Sequence, residues 1–273
     1  MSRVFLLLSS LIVLCCCATK QSSEVNSYAV ISHTRLNDNS GIDSLVGYAD
    51  LSKYELLLLG GDMANLSSCD DSIMKYLDSR FDVSNPKTLW ALGNHDYTSV
   101  ELLKSYTKKE TYYAYCQDKT VFIVLDTQKD SSRIKDSQLE FFNSVMDTVT
   151  DSKNIVLLTH KLIWMRGEPR LESQINSVSN GEFGDCSYCV QENNYYQDIY
   201  PKLVEFRENK GQVFCVAGDI GFNEKKFEYL SDDGIQFLAS GLKANTKGNF
   251  FLELSNDLTD FSLTYQFKEL SGL

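Results

Sequence analysis

Five short apolar runs, each closed by turn-forming or polar residues, constrain this chain more than any other feature. Residues 28–32 lead into His33, and residues 54–59 into Gly60-Gly61-Asp62. Residues 88–92 lead into Gly93-Asn94-His95-Asp96, residues 154–158 into Thr159-His160, and residues 212–217 into Gly218-Asp219-Ile220-Gly221. Runs of this length and composition read as strands buried on both faces. Between several of them lie stretches of helical period, at residues 72–77, 138–149 and 200–206. Strands alternating with helices predict a largely parallel sheet, whose ligands bind beyond the carboxyl ends of the strands. Residues 112–116 and 121–125 flank a turn and predict a hairpin, and residues 235–239, 249–254 and 261–267 predict a meander. There is no obvious linker or repeat, so one domain with mixed sheet structure is expected. Residues 168–194 form the longest stretch without periodicity, and a loop of that length is usually functional or mobile.

Charge narrows the partners. The chain carries 37 acidic and 26 basic residues, a net charge of −11. Such a surface repels phosphate backbones at long range, so no nucleic-acid partner is expected. An anionic substrate would need a local cationic feature, either a metal or a placed Arg or Lys.

The N-terminus reads as an export signal. Arg3 precedes an apolar or small run over residues 4–18, shorter than the roughly 20 residues of a spanning helix. Its ending, Leu14-Cys15-Cys16-Cys17-Ala18, resembles a bacterial lipoprotein signal in which Cys17 is lipidated and becomes the new N-terminus. The expected organisation is a signal over residues 1–17, a polar tether over 18–26 and one domain over 27–273. That places the protein in the periplasm or at the cell surface, held to a membrane by lipid, with plain secretion as the alternative. Of the 8 cysteines, three fall in this segment. Among the others, Cys186 and Cys189 read as a small loop disulfide in an oxidising compartment, and Cys215, inside an apolar run, as a buried thiol.

The polar residues after the strands form a constellation. The chain has only 3 histidines, His33, His95 and His160, and each falls just past the end of an expected strand. Asp62, Asn94 and Asp219 stand at the same level. Imidazole, carboxylate and amide oxygens gathered from separate strand ends are what a divalent transition-metal site requires.

These motifs resemble those of the calcineurin-like metallophosphoesterases. Gly61-Asp62, Gly93-Asn94-His95-Asp96 and Thr159-His160 match three family motifs in order and placement, and the resemblance runs over residues 28–267. It implies an α/β fold, a four-layer αββα sandwich of two mixed sheets flanked by helices. It also implies hydrolysis of phosphate mono- or diesters, in which paired metals activate a water for in-line attack on phosphorus. Two motifs depart from the family. The first, normally Asp-x-His, reads His33-Thr34-Arg35, and the last, normally Gly-His-x-His, reads Gly218-Asp219-Ile220-Gly221. Carried over residue by residue, one metal keeps Asp62, Asn94, His160 and, by substitution, Asp219. The other keeps only Asp62 and His33, because arginine offers only donors and glycine has no side chain.

The expectation is therefore one divalent metal per chain, with Mn, Fe, Zn and Mg not distinguished. Arg35 would stand in for the second metal and clamp the phosphate. His95 would protonate the leaving oxygen, with Asp96 as its supporting partner. The substrate would be a phosphorylated small molecule or an envelope polymer. The alternative is a catalytically inactive binding protein of the cell envelope on the same fold. Trp164 and Arg166, just after His160, are candidates for the mouth of the pocket, with simple packing as the other role for Trp164. Tyr188, Tyr195, Tyr196 and Tyr200 read as packing aromatics.

Overall fold

The computed structural model describes residues 24–38, 41–209 and 211–273. The expected signal segment and its lipidation site, Cys17, lie outside the described residues. In chain order the strands are β1 (Val25–Ile31), β2 (Leu56–Leu59), β3 (Thr88–Trp90), β4 (Tyr113–Gln117), β5 (Thr120–Val124) and β6 (Asn154–Thr159), then β7 (Gln212–Ala217), β8 (Lys226–Leu230), β9 (Gln236–Ser240), β10 (Phe250–Asp257) and β11 (Leu263–Glu269). The helices are α1 (Ser44–Tyr48), α2 (Asp71–Phe81), α3 (Val100–Thr107), α4 (Asp136–Thr148), α5 (Pro169–Glu172), α6 (Ile175–Val178) and α7 (Tyr200–Glu208). Val25 and Asn26, assigned to the tether from sequence, open β1 and pair with Asp257 and Asn256 of β10.

Two mixed sheets result. One has five strands in the order β11-β10-β1-β2-β3, the other six in the order β4-β5-β6-β7-β9-β8. Period-two alternation along the central strands distributes side chains between three cores. Tyr28 and Val30 of β1 face Phe122, Val124, Val156 and Leu158 of the other sheet in a core between the sheets. Their neighbours Ala29 and Ile31 point outward, onto Val46, Met74, Leu77 and Leu103 of α1, α2 and α3. On the opposite face, Ile155 and Leu157 pack with Phe142 of α4 and Leu203 of α7. Two sheets back to back, each covered by helices, make the expected four-layer αββα sandwich.

The helix boundaries follow ordinary capping chemistry. Asp70 caps α2 by accepting from the backbone N–H groups of Ser72 and Ile73 at 2.8 and 3.0 Å, and Ser99 caps α3 through Leu102 N.

The C-terminal meander is corrected. β9 runs parallel to β7 and antiparallel to β8 in the six-stranded sheet, whereas β10 and β11 form a hairpin in the five-stranded one. The reason is β8, an edge strand of alternating exposure that lacks the continuous apolar run of the central strands. Its hairpin with β9 lays β9 against β7, and the chain then crosses to the other sheet before β10. The aperiodic stretch 168–194 holds two short helices, α5 and α6, before a tight disulfide loop.

The carboxyl ends of the parallel strands from both sheets meet at one edge. Leu242 N donates to Ser32 O at 3.1 Å, and His33 N to Gly61 O at 2.9 Å. The ring Nδ1 of His160, at the end of β6, lies 2.7 Å from Gly60 O, at the end of β2.

Candidate active site

Asp62 stands at the centre of this edge. It follows the β2 turn with φ at +55°, a left-handed conformation, and it is almost wholly buried. Its two carboxylate oxygens face different neighbours. Oδ1 lies 3.7 Å from His160 Nε2 and accepts from His95 N at 3.0 Å. Oδ2 lies 3.6 Å from His33 Nε2, 3.6 Å from Arg35 Nε and 4.0 Å from His95 Nε2. Asp219 completes the Oδ1 side, its own Oδ1 3.7 Å from His160 Nε2. One carboxylate thus divides the site into a half lined by His160 and Asp219 and a half lined by His33 and Arg35.

All three histidines share one arrangement. His33 Nδ1 faces Leu242 O at 2.8 Å, His95 Nδ1 faces Asn65 O at 2.5 Å, and His160 Nδ1 faces Gly60 O. A carbonyl can only accept, so each ring carries its hydrogen on Nδ1 and turns Nε2 toward Asp62. That tautomer, fixed by a backbone carbonyl, is the arrangement metal-ligating histidines take.

Buried atoms without partners indicate what the Oδ1 half could hold. His160 Nε2 and Asp219 Oδ2 are buried and accept or donate no hydrogen bond. A lone pair facing two carboxylate oxygens is repulsive unless a proton or a cation lies between them. Burial pushes the His160 imidazole down, but Asp62 and Asp219 outweigh it and raise its pKa. Burial pushes Asp219 up to about 6 against the pull of His160. Asp62 is lowered: burial opposes ionisation, and His160, His33 and His95 together overcome it. Among the described residues no three His, Cys, Asp or Glu side chains already form a closed metal-holding group. Ligands on one ion stand about 3.0–3.4 Å apart, so the 3.7 Å pairs here are open by a few tenths of an ångström. The donors gathered on the Oδ1 side, one imidazole nitrogen and carboxylate oxygens, are of the type that holds a divalent cation.

The Oδ2 half does not fit a second. Arg35 brings a fixed positive charge there, with its Nε buried and free of hydrogen bonds. His33, in the left-handed region at φ +56°, is lowered to about 4 by burial and is neutral near pH 7. Gly221, where the resembling motif carries a histidine, has φ at +134°, and a Cβ there would lie 2.4 Å from Leu242 O. The backbone at 221 leaves no room for a ligand side chain.

A cavity of ≈ 220 Å³ opens above Asp62, lined by His33, Arg35, Asn94, His95 and Asp219. Four further residues line it that sequence reasoning did not assign to the site: Asn180, Gly181, Tyr188 and Phe222. Asn180 turns its buried amide toward the Asp219 carboxylate, opposing the rise in the Asp219 pKa, and it is a donor of the kind suited to a phosphate oxygen. The Asn180-Gly181 pair was its only signal, and it reads simply as a turn. Tyr188 sits on the loop closed by the Cys186–Cys189 disulfide, which is formed as expected. That loop is held from below by the buried Lys161, whose Nζ donates to Ser187 O at 2.8 Å.

Three expected site residues are placed elsewhere. Asp96 does not reach the cavity or the side chain of His95. Its carboxylate accepts from Asp62 N at 2.7 Å, Gly93 N at 2.9 Å, Met63 N at 3.1 Å, Trp90 Nε1 at 3.2 Å and the Ser67 hydroxyl. It positions the Asp62 turn rather than touching substrate. Trp164 is fully buried, stacked on Phe237 and Phe227 at 5.0 and 5.8 Å, and packing is its role. Arg166 is held by Glu172 and Glu192 and lies outside the cavity lining.

No protein-family model matches the sequence, and no curated protein matches it significantly. Among solved structures, a dimetal phosphatase from Danio rerio is similar over 90% of this chain and 96% of its own, with 10% sequence identity and a TM-score of 0.57. The NAD nucleotidase of Haemophilus influenzae matches 89% of this chain at 14% identity and a TM-score of 0.43. A 5'-nucleotidase precursor from Thermus thermophilus matches 90% at 12% identity and a TM-score of 0.45. This chain spans 49% and 54% of those two nucleotidases. At such identities the likeness is one of fold alone, carried by the match to the dimetal phosphatase. The chain has the fold of the calcineurin-like metallophosphoesterases.

Proposed function

We propose that this chain is a metal-dependent phosphoester hydrolase that works with one divalent cation and uses Arg35 in place of a second. The observation that carries the reading is the division at Asp62, with unpartnered acceptors on one side and a guanidinium on the other. Asp62, His160 and Asp219 would hold the cation, with Asn94 beside them. A cation there would lower the pKa of a water it holds and offset phosphate charge. Arg35 would bind two phosphate oxygens through its guanidinium fork, and the Asn180 amide a third. His95, its Nδ1–H committed to Asn65 O, would act as the doubly protonated imidazolium and give its Nε2 proton to the leaving oxygen. One dication and Arg35 against Asp62 and Asp219 leave the site positive, so an overall acidic chain can still hold an anionic ester.

The N-terminal signal supports export, and the Cys186–Cys189 disulfide supports an oxidising compartment. Tethering through a lipid on Cys17 belongs to the same proposal, as does a phosphorylated small molecule or envelope polymer as substrate. Among the described residues no helix is long and apolar enough to cross a membrane.

A second reading, binding without turnover, draws on the open spacing of the donor set. One assay separates the two. The purified chain is offered phosphate monoesters and diesters with Mn, Zn, Fe and Mg in turn. Hydrolysis lost in Asp62→Asn and in His95→Ala supports the hydrolase. Stoichiometric metal with no turnover of any ester supports the binding protein.

A further inference from the structure

A second cavity, of ≈ 540 Å³, opens beside the first and shares His33, Arg35 and Phe222 with it. Phe222 stands at the junction. Its backbone N–H donates to Asn180 Oδ1 at 2.9 Å, and its ring meets the edge of His33 with centroids 4.9 Å apart. The ring is nonetheless 41% exposed. Two cations lie by that ring: Arg35 Cζ is 5.7 Å and Lys243 Nζ 6.0 Å from its centroid. Lys243 comes from the loop between β9 and β10, which also brings Asn245 to the cavity. Lys225 adds charge behind that loop, its Nζ donating to Lys247 O at 2.6 Å and Thr246 Oγ1 at 3.1 Å. Asp38 is the only carboxylate among the described lining residues, against Arg35 and Lys243. In a chain of net charge −11, this is a locally cationic compartment with an exposed aromatic floor.

Size points the same way. A cavity of ≈ 220 Å³ suits a phosphoryl group with little attached to it, so most of a larger ester must lie outside. Arg35 belongs to both cavities, which makes it the link between the reacting group and whatever lies beyond.

We propose that the second cavity receives the leaving group of the substrate and selects one bearing a second anionic group, a phosphate or carboxylate, on a planar or apolar stem. This rests on the phosphoesterase reading. The stem would lie on Phe222 and the distal anion would meet Lys243. The reaction is hydrolysis and needs no other reactant. The water oxygen bonds to phosphorus as the ester P–O bond breaks, and the leaving oxygen takes a proton. The products are inorganic phosphate and an anionic alcohol or phenol.

The test compares phenyl phosphate with 4-carboxyphenyl phosphate and 1,4-phenylene bisphosphate, using the full chain with saturating Mn. KM for the two anionic esters is expected to be about fivefold below that for phenyl phosphate, the size of one partly exposed charge contact. Lys243→Ala should bring the ratio to about one, Lys243→Glu should invert it, and Lys243→Arg should keep it. Equal KM values in the unsubstituted protein, or a ratio that survives Lys243→Glu, would overturn the proposal. If no ester is turned over, the hydrolase reading fails and the cavity is judged by calorimetric titration of phenyl phosphate and the bisphosphate. Tighter bisphosphate binding that is lost in Lys243→Glu then supports the cavity, and equal affinities overturn it.

Discussion

Asp96 accepts hydrogen bonds from five donors and reaches no solvent. Asp96→Ala would strand those donors and free the Asp62 turn, at a cost of about 3–5 kcal/mol. A melting curve should record a fall of roughly 10 °C, and an unchanged Tm would remove Asp96 from its structural role. Arg35 tests differently, since its guanidinium faces the cavity. Arg35→Ala should lower kcat/KM about 100-fold. Arg35→Lys should recover only part of that, because a point charge cannot bind two oxygens in a fork. Equal activity of all three proteins would dismiss the clamp. The residues legible in the sequence were those that come just after strands: His33, Arg35, Asp62, Asn94, His95, His160 and Asp219 all stand at the site. Asn180, Tyr188 and Phe222 were not, because they arrive on loops whose paths are set by distant contacts such as Lys161 to Ser187. Trp164 misled for the reverse reason. Its closeness in sequence to His160 says nothing about the direction of its ring, which turns into the core.

At the scale of elements, the disulfide loop is the part most open to change. Val190 N donates to Glu182 O at 2.9 Å, Cys189 N donates to Cys186 O at 3.1 Å, and a Cβ on Gly181 would lie 2.0 Å from Tyr188 O. The loop is therefore pressed against residue 181, and its Tyr188 forms one wall of the cavity while remaining 53% exposed. Closing so short a loop contributes only about 2 kcal/mol in the chain-entropy account. Cys186→Ser with Cys189→Ser should leave the protein folded while KM rises about threefold as Tyr188 loses its position. A KM that does not change would make the loop a mere surface feature. The long stretch containing this loop was legible as irregular but not as a lid, since only the fold brings residues 180 and 188 over Asp62. The placement of β9 was equally hidden. Its partner β8 is an edge strand whose alternating pattern, Lys226-Phe-Glu-Tyr-Leu230, is quieter than an apolar run.

For the whole molecule, the two sheets were legible because their central strands are apolar on both faces. By gathering their strand ends at one buried edge, the sheets create a site where, on the proposed reading, protons and a cation would compete. Asp219, raised to about 6 by burial, binds a proton on folding between pH 3.8 and that value, so its contribution to stability is lost as pH rises through this window. His160, with a raised pKa, likewise contributes stability at low pH that fades as pH climbs past its folded value. His33, lowered to about 4 by burial, acts in the opposite sense and costs stability as pH falls from 6.5 toward 4. A divalent cation would replace the protons of Asp219 and His160. At 100-fold excess over Kd it should raise Tm by roughly 5–10 °C at pH 8. The gain at pH 5 should be less than half as large. An equal gain at both values would mean that the cation binds elsewhere.

Gly221→His probes the half of the site that Arg35 occupies. With φ at +134° and Leu242 O against the Cβ position, this substitution should destabilise the chain without creating a second metal site. Counting metal decides whether one cation, with Arg35 in place of another, serves the site. The full chain, purified and equilibrated with Mn, should hold one ion per chain by elemental analysis, and none in a protein carrying both Asp62→Asn and Asp219→Asn. Two tightly held ions per chain in the unsubstituted protein would contradict it.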